Sequence, residues 1–202
     1  LSTVLPAAAQ PRPVGPVPPS PLPGLAFTNS FFPGTSYRPE LPTPISLLGF
    51  DVGDRAADST EILRCLQAWA AAAPDRTLLV EYARSHENKP LHYLVITSPE
   101  NRRRLDRIQA DTARLGDPRN LPESEALRLI DSLPGIAWLA HTIHGDETEG
   151  SDAALATIYH LLAARDAAVE QLLADLVIIV DPLMNPDGRD RFLKMLAEHR
   201  GT

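Results

Sequence analysis

Proline is concentrated at one end of the chain, and this limits where a folded domain can lie. Residues 1–44 hold 12 of the 20 prolines but only three charged side chains, whereas the remaining residues hold the other eight prolines. A segment so rich in proline, with no hydrophobic periodicity, buries too little apolar surface to offset the entropy lost on ordering. We therefore predict a disordered linker or processed leader remnant over residues 1–49 and a folded part over residues 50–202.

Charge and cysteine content exclude several kinds of protein. The formal net charge of −7 indicates no basic face, so nucleic acid is not an expected partner. No apolar run reaches the ~20 residues that a membrane-spanning helix needs. The single cysteine, Cys65, lies in an amphipathic pattern, which predicts a core residue rather than a reactive thiol. The Ala-rich start fits either the end of a signal segment or chance low complexity, and we expect an extracytoplasmic location.

The folded part alternates between helical and strand-like patterns. Apolar periodicity and capping residues predict helices over residues 59–73, 98–115, 122–133, 151–164 and 166–174, then a short final helix. Apolar and β-branched runs predict strands over residues 78–83, 91–97, 136–143 and 176–180, the first two as a hairpin and the last as a central strand. We predict an α/β fold with a mixed, mainly parallel sheet and helices on both faces.

Two polar loops follow the two most apolar strands, which is where open α/β sheets bind ligands. The first loop contains His144 and Glu147, and a turn there can bring an imidazole and a carboxylate onto one zinc ion. Spacing alone leaves a second interpretation open, a hydrogen-bonded loop histidine beside solvated carboxylates. The second loop, residues 181–190, has the wrong spacing for an EF-hand, and on its own it indicates only a turn.

Taken together, three stretches resemble the zinc carboxypeptidase family, the carboxypeptidase A-like metallopeptidases. They are Ile143-His144-Gly145-Asp146-Glu147, Asn185-Pro186-Asp187-Gly188, and the hairpin turn Glu87-Asn88-Lys89-Pro90, where the family more commonly has Glu-Gly-Arg-Pro. The resemblance covers roughly Phe50 to Phe192. It implies that residues 50–202 are the N-terminal portion of a zinc carboxypeptidase-like catalytic domain, with a fold incomplete at its C-terminal side.

The resemblance also implies that His144 and Glu147 are two ligands of one Zn²⁺ ion. The family's second histidine ligand has no match in this chain. His160 falls within a predicted helix and His199 within the final one, and neither has the strand-end context that the family uses. The third protein ligand is therefore not found.

The family's catalytic glutamate, its substrate-binding Asn-Arg pair and its tyrosine have no match either, so catalytic residues are not assigned and substrate-binding residues stay unknown. Arg189 and Arg191 are minor candidates for an arginine that grips a substrate carboxylate. Asp190 and Glu149 are expected to be surface or supporting groups.

Three functions follow from this resemblance as hypotheses. The leading one is a zinc-dependent metallocarboxypeptidase that hydrolyses C-terminal peptide bonds of peptides or proteins, with the 202 residues alone expected to be inactive. The second is a zinc amidohydrolase or deacylase of the same fold. The third is a non-enzymatic binding module that has kept the scaffold and lost the site.

Overall fold

A four-stranded mixed sheet forms the framework of the computed structural model, which describes residues 32–199. The strands are β1 (Thr77–Arg84), β2 (Pro90–Ile96), β3 (Gly135–Ala140) and β4 (Leu176–Asp181). They lie in the order β1-β2-β4-β3, and β4 is central as predicted. The mixed α/β class is confirmed.

The pairing of the strands corrects one part of the prediction. β3 pairs parallel with β4, whereas β1 pairs antiparallel with β2 and β2 antiparallel with β4. The predicted excess of parallel pairs is therefore wrong for the described strands. The turn between β1 and β2 is too short for a parallel crossover, so the two strands form the predicted hairpin. The antiparallel pairing of β2 with β4 joins strands that are distant in sequence, and local patterns do not predict its direction.

Helices cover the sheet on both faces, also as predicted. The described helices are α1 (Pro44–Leu48), α2 (Ser59–Ala72), α3 (Pro99–Arg103), α4 (Leu105–Gly116), α5 (Glu123–Ser132), α6 (Thr148–Ala163), α7 (Ala167–Asp175) and α8 (Pro186–His199). The predicted helix over 98–115 is divided at Arg104, where φ is −112° and ψ is 18°. The final helix, predicted to be short, has 14 residues. Among the described residues, no helix is both long and apolar enough to cross a membrane.

The core has two parts, one on each face of the sheet. In the larger part, Leu94 of β2 packs with buried residues of α2 and α6, such as Leu66 and Leu155. In the smaller part, the next residue along β2, Val95, packs with Ile108 of α4. Successive side chains of a strand point to opposite faces, so β2 and β4 contribute to both parts. Cys65 is 0% exposed, so it is a core residue as predicted, and burial raises the pKa of its thiol to about 12.

The folded unit begins at Gly34 in the structure, earlier than the predicted boundary at residue 50. Leu41 and Leu48 are buried in the larger core cluster, and the Trp69 indole donates a hydrogen bond to the Pro42 carbonyl at 2.8 Å. Apolar side chains between the prolines thus pack onto the domain, because proline restricts the backbone without preventing side-chain burial. Residues 1–31 of the predicted linker lie outside the described residues.

Candidate functional site

The loop between β3 and α6 brings His144 and Glu147 together. The Glu147 amide donates to the His144 carbonyl at 3.3 Å, which closes a turn and places the two side chains on the same side. His144 Nδ1 lies 3.0 Å from Glu147 Oε1. Both side chains are open to solvent, with 71% and 53% of their surface exposed. The two side chains therefore meet, a contact that fits both interpretations of the sequence.

The pair fits two of the protein ligands that a zinc ion uses, since zinc binds imidazole nitrogen and carboxylate oxygen. Between residues 32 and 199, no three or more His, Cys, Asp or Glu side chains are grouped so that they could hold a metal. Residues 1–31 and 200–202 contain none of these four residue types. The chain therefore offers a two-residue donor pair, and the role of His144 and Glu147 as ligands stays a prediction.

The loop between β4 and α8 holds the first loop in place through Asn185. The backbone N–H of Asn185 donates to the Thr142 carbonyl at 3.2 Å. The side-chain Nδ2 of the same residue donates to the Ile143 carbonyl at 3.1 Å. The Met184 amide donates to the His141 carbonyl at 3.1 Å. The residues just before His144 are thus tied to the residues just before α8.

Two glycines allow the two loops to approach this closely. A Cβ atom on Gly145 would lie 2.0 Å from the carbonyl carbon of Gly188, so any side chain at residue 145 collides with the other loop.

Thr142 has a φ of +53°, a left-handed conformation that is unusual for a β-branched residue. The Thr142 hydroxyl donates to the Glu147 carbonyl at 3.2 Å and lies 2.8 Å from the Ser151 hydroxyl, which helps to hold this conformation.

The hairpin turn between β1 and β2 packs onto the first turn of α8. Asp187 accepts hydrogen bonds from the Ser85 hydroxyl at 2.8 Å and from the Glu87 amide at 3.0 Å. Lys89 Nζ lies 2.8 Å from Asp190 Oδ2, so Asp190 also joins the hairpin turn to α8. Asn88 has a φ of +63°, and asparagine tolerates this region better than most residues. This explains how asparagine can stand where the family more commonly has glycine.

The two arginines of α8 have very different surroundings. Arg189 is 0% exposed and donates to the Ala57 carbonyl, the Thr148 carbonyl and Asp152, at 2.7, 2.8 and 3.0 Å. No surface of Arg189 is left for a substrate carboxylate, so that candidate role is wrong for this structure. Arg191 is exposed and forms an ion pair with Glu87.

Two buried polar groups at the ends of β4 and β3, the Asp181 carboxylate and His141 Nε2, were not predicted as part of the site from the sequence. Asp181, at the end of β4, is 0% exposed and accepts a hydrogen bond from the Tyr82 hydroxyl at 2.6 Å. Burial raises the pKa of Asp181, while the hydrogen bond from Tyr82 opposes that rise. His141 Nε2 is buried with no hydrogen-bond partner among the described residues, and burial lowers the pKa of His141. The sequence signals were only a carboxylate and a histidine at the ends of apolar strands.

The remaining candidates lie in helices. His160 is in α6, as expected, with Nδ1 at 3.2 Å from the Tyr37 hydroxyl. His199 is the last residue of α8, and Nδ1 lies 2.8 Å from the Met195 carbonyl. Glu149 is an exposed residue of the first turn of α6.

Comparisons with known proteins define the class. A family model described as zinc carboxypeptidase matches residues 62–200, which is more than half of the chain. The chain therefore belongs to the zinc carboxypeptidase family, a family whose description implies Zn²⁺. No curated protein sequence matches it.

Three solved structures are among those that match part of the chain. Carboxypeptidase A from Helicoverpa armigera is 20% identical, with a TM-score of 0.48, and the match covers 68% of this chain and 28% of that one. Bovine thrombin-activatable fibrinolysis inhibitor, solved in complex with tick carboxypeptidase inhibitor, is 16% identical, with a TM-score of 0.45 and coverage of 69% and 34%. A metallo-carboxypeptidase from Burkholderia cenocepacia is 19% identical, with a TM-score of 0.40 and coverage of 68% and 29%. The chain thus spans about a third or less of the length of these structures.

Proposed function

We propose that this chain supplies the His144–Glu147 part of the zinc site of a metallocarboxypeptidase, an enzyme that hydrolyses C-terminal peptide bonds of peptides or proteins. The observation that carries the proposal is the 3.0 Å separation of His144 Nδ1 and Glu147 Oε1 in an exposed loop, in a chain that belongs to the zinc carboxypeptidase family. The pair combines two donor types that suit zinc with an open approach for substrate.

The chain's own residues would hold and orient the metal. A bound zinc ion lowers the pKa of a coordinated water and polarises a carbonyl group. His144 would supply a neutral ring nitrogen and Glu147 an anionic oxygen. Glu147 is the residue that immediately precedes α6. Asn185, through the preceding residue Ile143, fixes the backbone from which His144 projects.

We further propose that the third protein ligand comes from polypeptide outside these 202 residues. Catalytic zinc sites usually combine three protein ligands with one water. The described residues bring no third His, Cys, Asp or Glu to the pair, and the other residues of the chain include none. On this proposal the 202-residue chain binds zinc weakly and does not hydrolyse peptides by itself.

Zinc titration of the 202-residue chain by isothermal titration calorimetry tests the proposal, and the ring resonances of His144 in the wild-type chain report whether zinc binds at that residue. Loss of a ligand should weaken binding at least as much as loss of a supporting group, which costs roughly 10–100-fold. His144→Ala and Glu147→Gln should each show such a loss, whereas the control His199→Ala should retain wild-type affinity. Equal zinc affinity in all four proteins would refute the ligand assignment. Zinc-dependent release of C-terminal residues by the isolated chain would refute the need for an external ligand.

A further inference from the structure

The side-chain amide of Asn185 makes a different contact at each end. Its Nδ2 donates to the Ile143 carbonyl at 3.1 Å, one residue before His144. Its Oδ1 accepts from the Gly188 amide at 2.9 Å, which caps the first turn of α8. The amide orientation is fixed by these partners, because the flipped amide would set oxygen against a carbonyl and nitrogen against an N–H group.

We infer that Asn185 is a positioning residue for zinc: its amide nitrogen holds the loop that carries His144, while its amide oxygen serves the fold by capping α8. The inference rests on the proposed function, since it assigns Asn185 a role in the affinity of the His144–Glu147 pair for the metal.

Burial does little to hold this loop, so its contacts with the β4–α8 loop decide its position. Ile143 is 59% exposed, and the side chain of His144 is 71% exposed. Of residues 143–147, only Gly145 is buried, and it lies against Gly188. The hydrogen bond from Asn185 is a side-chain contact that acts directly on the residue next to His144.

The two ends of the amide can be separated by one isosteric substitution. In Asn185→Asp, a carboxylate oxygen still accepts from the Gly188 amide, and Asp caps helices as well as Asn does. The donor to the Ile143 carbonyl is lost. In Asn185→Ala both contacts are lost. Asn120→Asp, at an exposed asparagine, is the matched control because it adds the same negative charge elsewhere.

The experiment measures zinc affinity, thermal midpoint and hydrogen exchange on the whole 202-residue chain. We expect Asn185→Asp to speed exchange at residues 141–147, to leave α8 exchange and the thermal midpoint near wild type, and to weaken zinc binding roughly 10–100-fold, as loss of a supporting group does. The added charge of the aspartate would by itself strengthen cation binding, so a loss cannot arise from charge. Asn185→Ala should also speed exchange in the first turn of α8, and Asn120→Asp should match wild type in every measurement.

The possible results separate this inference from the proposed function. Wild-type exchange and wild-type zinc affinity in Asn185→Asp would overturn the inference, and so would equal losses in Asn185→Asp and Asn120→Asp. If the wild-type chain binds no zinc, the proposed function fails. Exchange at residues 141–147 then still shows whether Asn185 holds the loop, and unchanged exchange in Asn185→Asp overturns the inference by itself.

Discussion

Replacement of Arg189 by methionine should destabilise the protein strongly, because this arginine joins three segments inside the fold. Its guanidinium donates to the Ala57 carbonyl before α2, to the Thr148 carbonyl in the first turn of α6, and to Asp152 one turn further along α6. All of its surface is buried. Methionine can fill much of the same volume but offers no donor to any of the three partners.

The magnitude follows from the charge that remains after the substitution. Removing one partner of a buried ion pair costs about 3–5 kcal/mol, because the other charge stays buried without compensation. Burial already works against both members, since it raises the pKa of Asp152 and lowers that of Arg189. Asp152 keeps 14% exposure and a hydrogen bond from the Ala57 amide at 3.2 Å, which favours the lower end of the range. We expect a loss of about 3 kcal/mol, against a total of about 5–15 kcal/mol for a typical domain.

Urea denaturation followed by far-UV circular dichroism at pH 7 measures this loss. Arg191→Met is the matched control, because Arg191 lies two residues further along the same helix, is 69% exposed, and pairs only with Glu87 in the described contacts. Its exposed ion pair should be worth about 0.2–1 kcal/mol. Arg189→Lys retains the positive charge but not the forked donors, so it should fall between wild type and Arg189→Met. It also gives a measurable value if Arg189→Met does not fold.

One result would refute the reasoning. If Arg189→Met and Arg191→Met lose the same free energy of unfolding, Arg189 does not join the three segments as a buried ion pair.

Three further predictions concern the packing of the loops and the buried polar groups. Gly145→Ala should cost about 1–3 kcal/mol when measured by urea denaturation, because its Cβ would meet the Gly188 backbone at 2.0 Å. Gly116→Ala, whose Cβ would meet nothing within 4 Å, should be neutral or stabilising in the same measurement. Tyr82→Phe should cost about 1.5–3 kcal/mol and raise the pKa of Asp181 further, because it removes the donor to a buried carboxylate, and unchanged stability would contradict this. Burial lowers the pKa of three histidines below the usual 6.5, so the stability they contribute is present above that pH and is lost as pH falls through their lower folded-state values. These histidines are His92, His141 and His160. NMR titration of the folded protein should give each of them a midpoint below pH 6.5, and a midpoint at or above 6.5 would contradict the prediction.

Local patterns predicted most helices and strands, and the errors came from contacts between distant parts of the chain. The predicted helix over residues 98–115 breaks after α3, where Asn101 Nδ2 donates to the Ala174 carbonyl at 2.9 Å and Arg102 Nε donates to the Thr77 carbonyl at 2.7 Å. These hydrogen bonds join α3 to α7 and β1. The hydrophobic periodicity of a single helix cannot predict contacts with distant segments. The segment over residues 34–49 was missed for a related reason, since its proline content hid the two leucines that the core buries, Leu41 and Leu48.

The candidate site likewise combines contacts within one loop with contacts between distant parts of the chain. His144 and Glu147 are three residues apart, so a single turn brings them together, and their spacing showed in the sequence that such a contact could form. The spacing alone left two interpretations of the pair open. The bond between Tyr82 and Asp181 depends on the order of strands, because β2 lies between the strands that carry them. Neither residue stands in a motif, and only the folded sheet shows that they meet.

The three stretches that carry the family resemblance form one connected network in space. Asp187 joins the hairpin turn to α8 through Ser85 and the Glu87 amide. Asn185 in turn joins the start of α8 to Ile143, and so to the loop of His144. The hairpin turn is therefore connected through α8 to the loop that carries His144 and Glu147, although it contributes neither residue. The side chain of Asp187 contributes to the connection between the hairpin turn and α8, and that of Asn185 to the connection between α8 and Ile143, so loss of either side chain should weaken the contact between two of the three stretches.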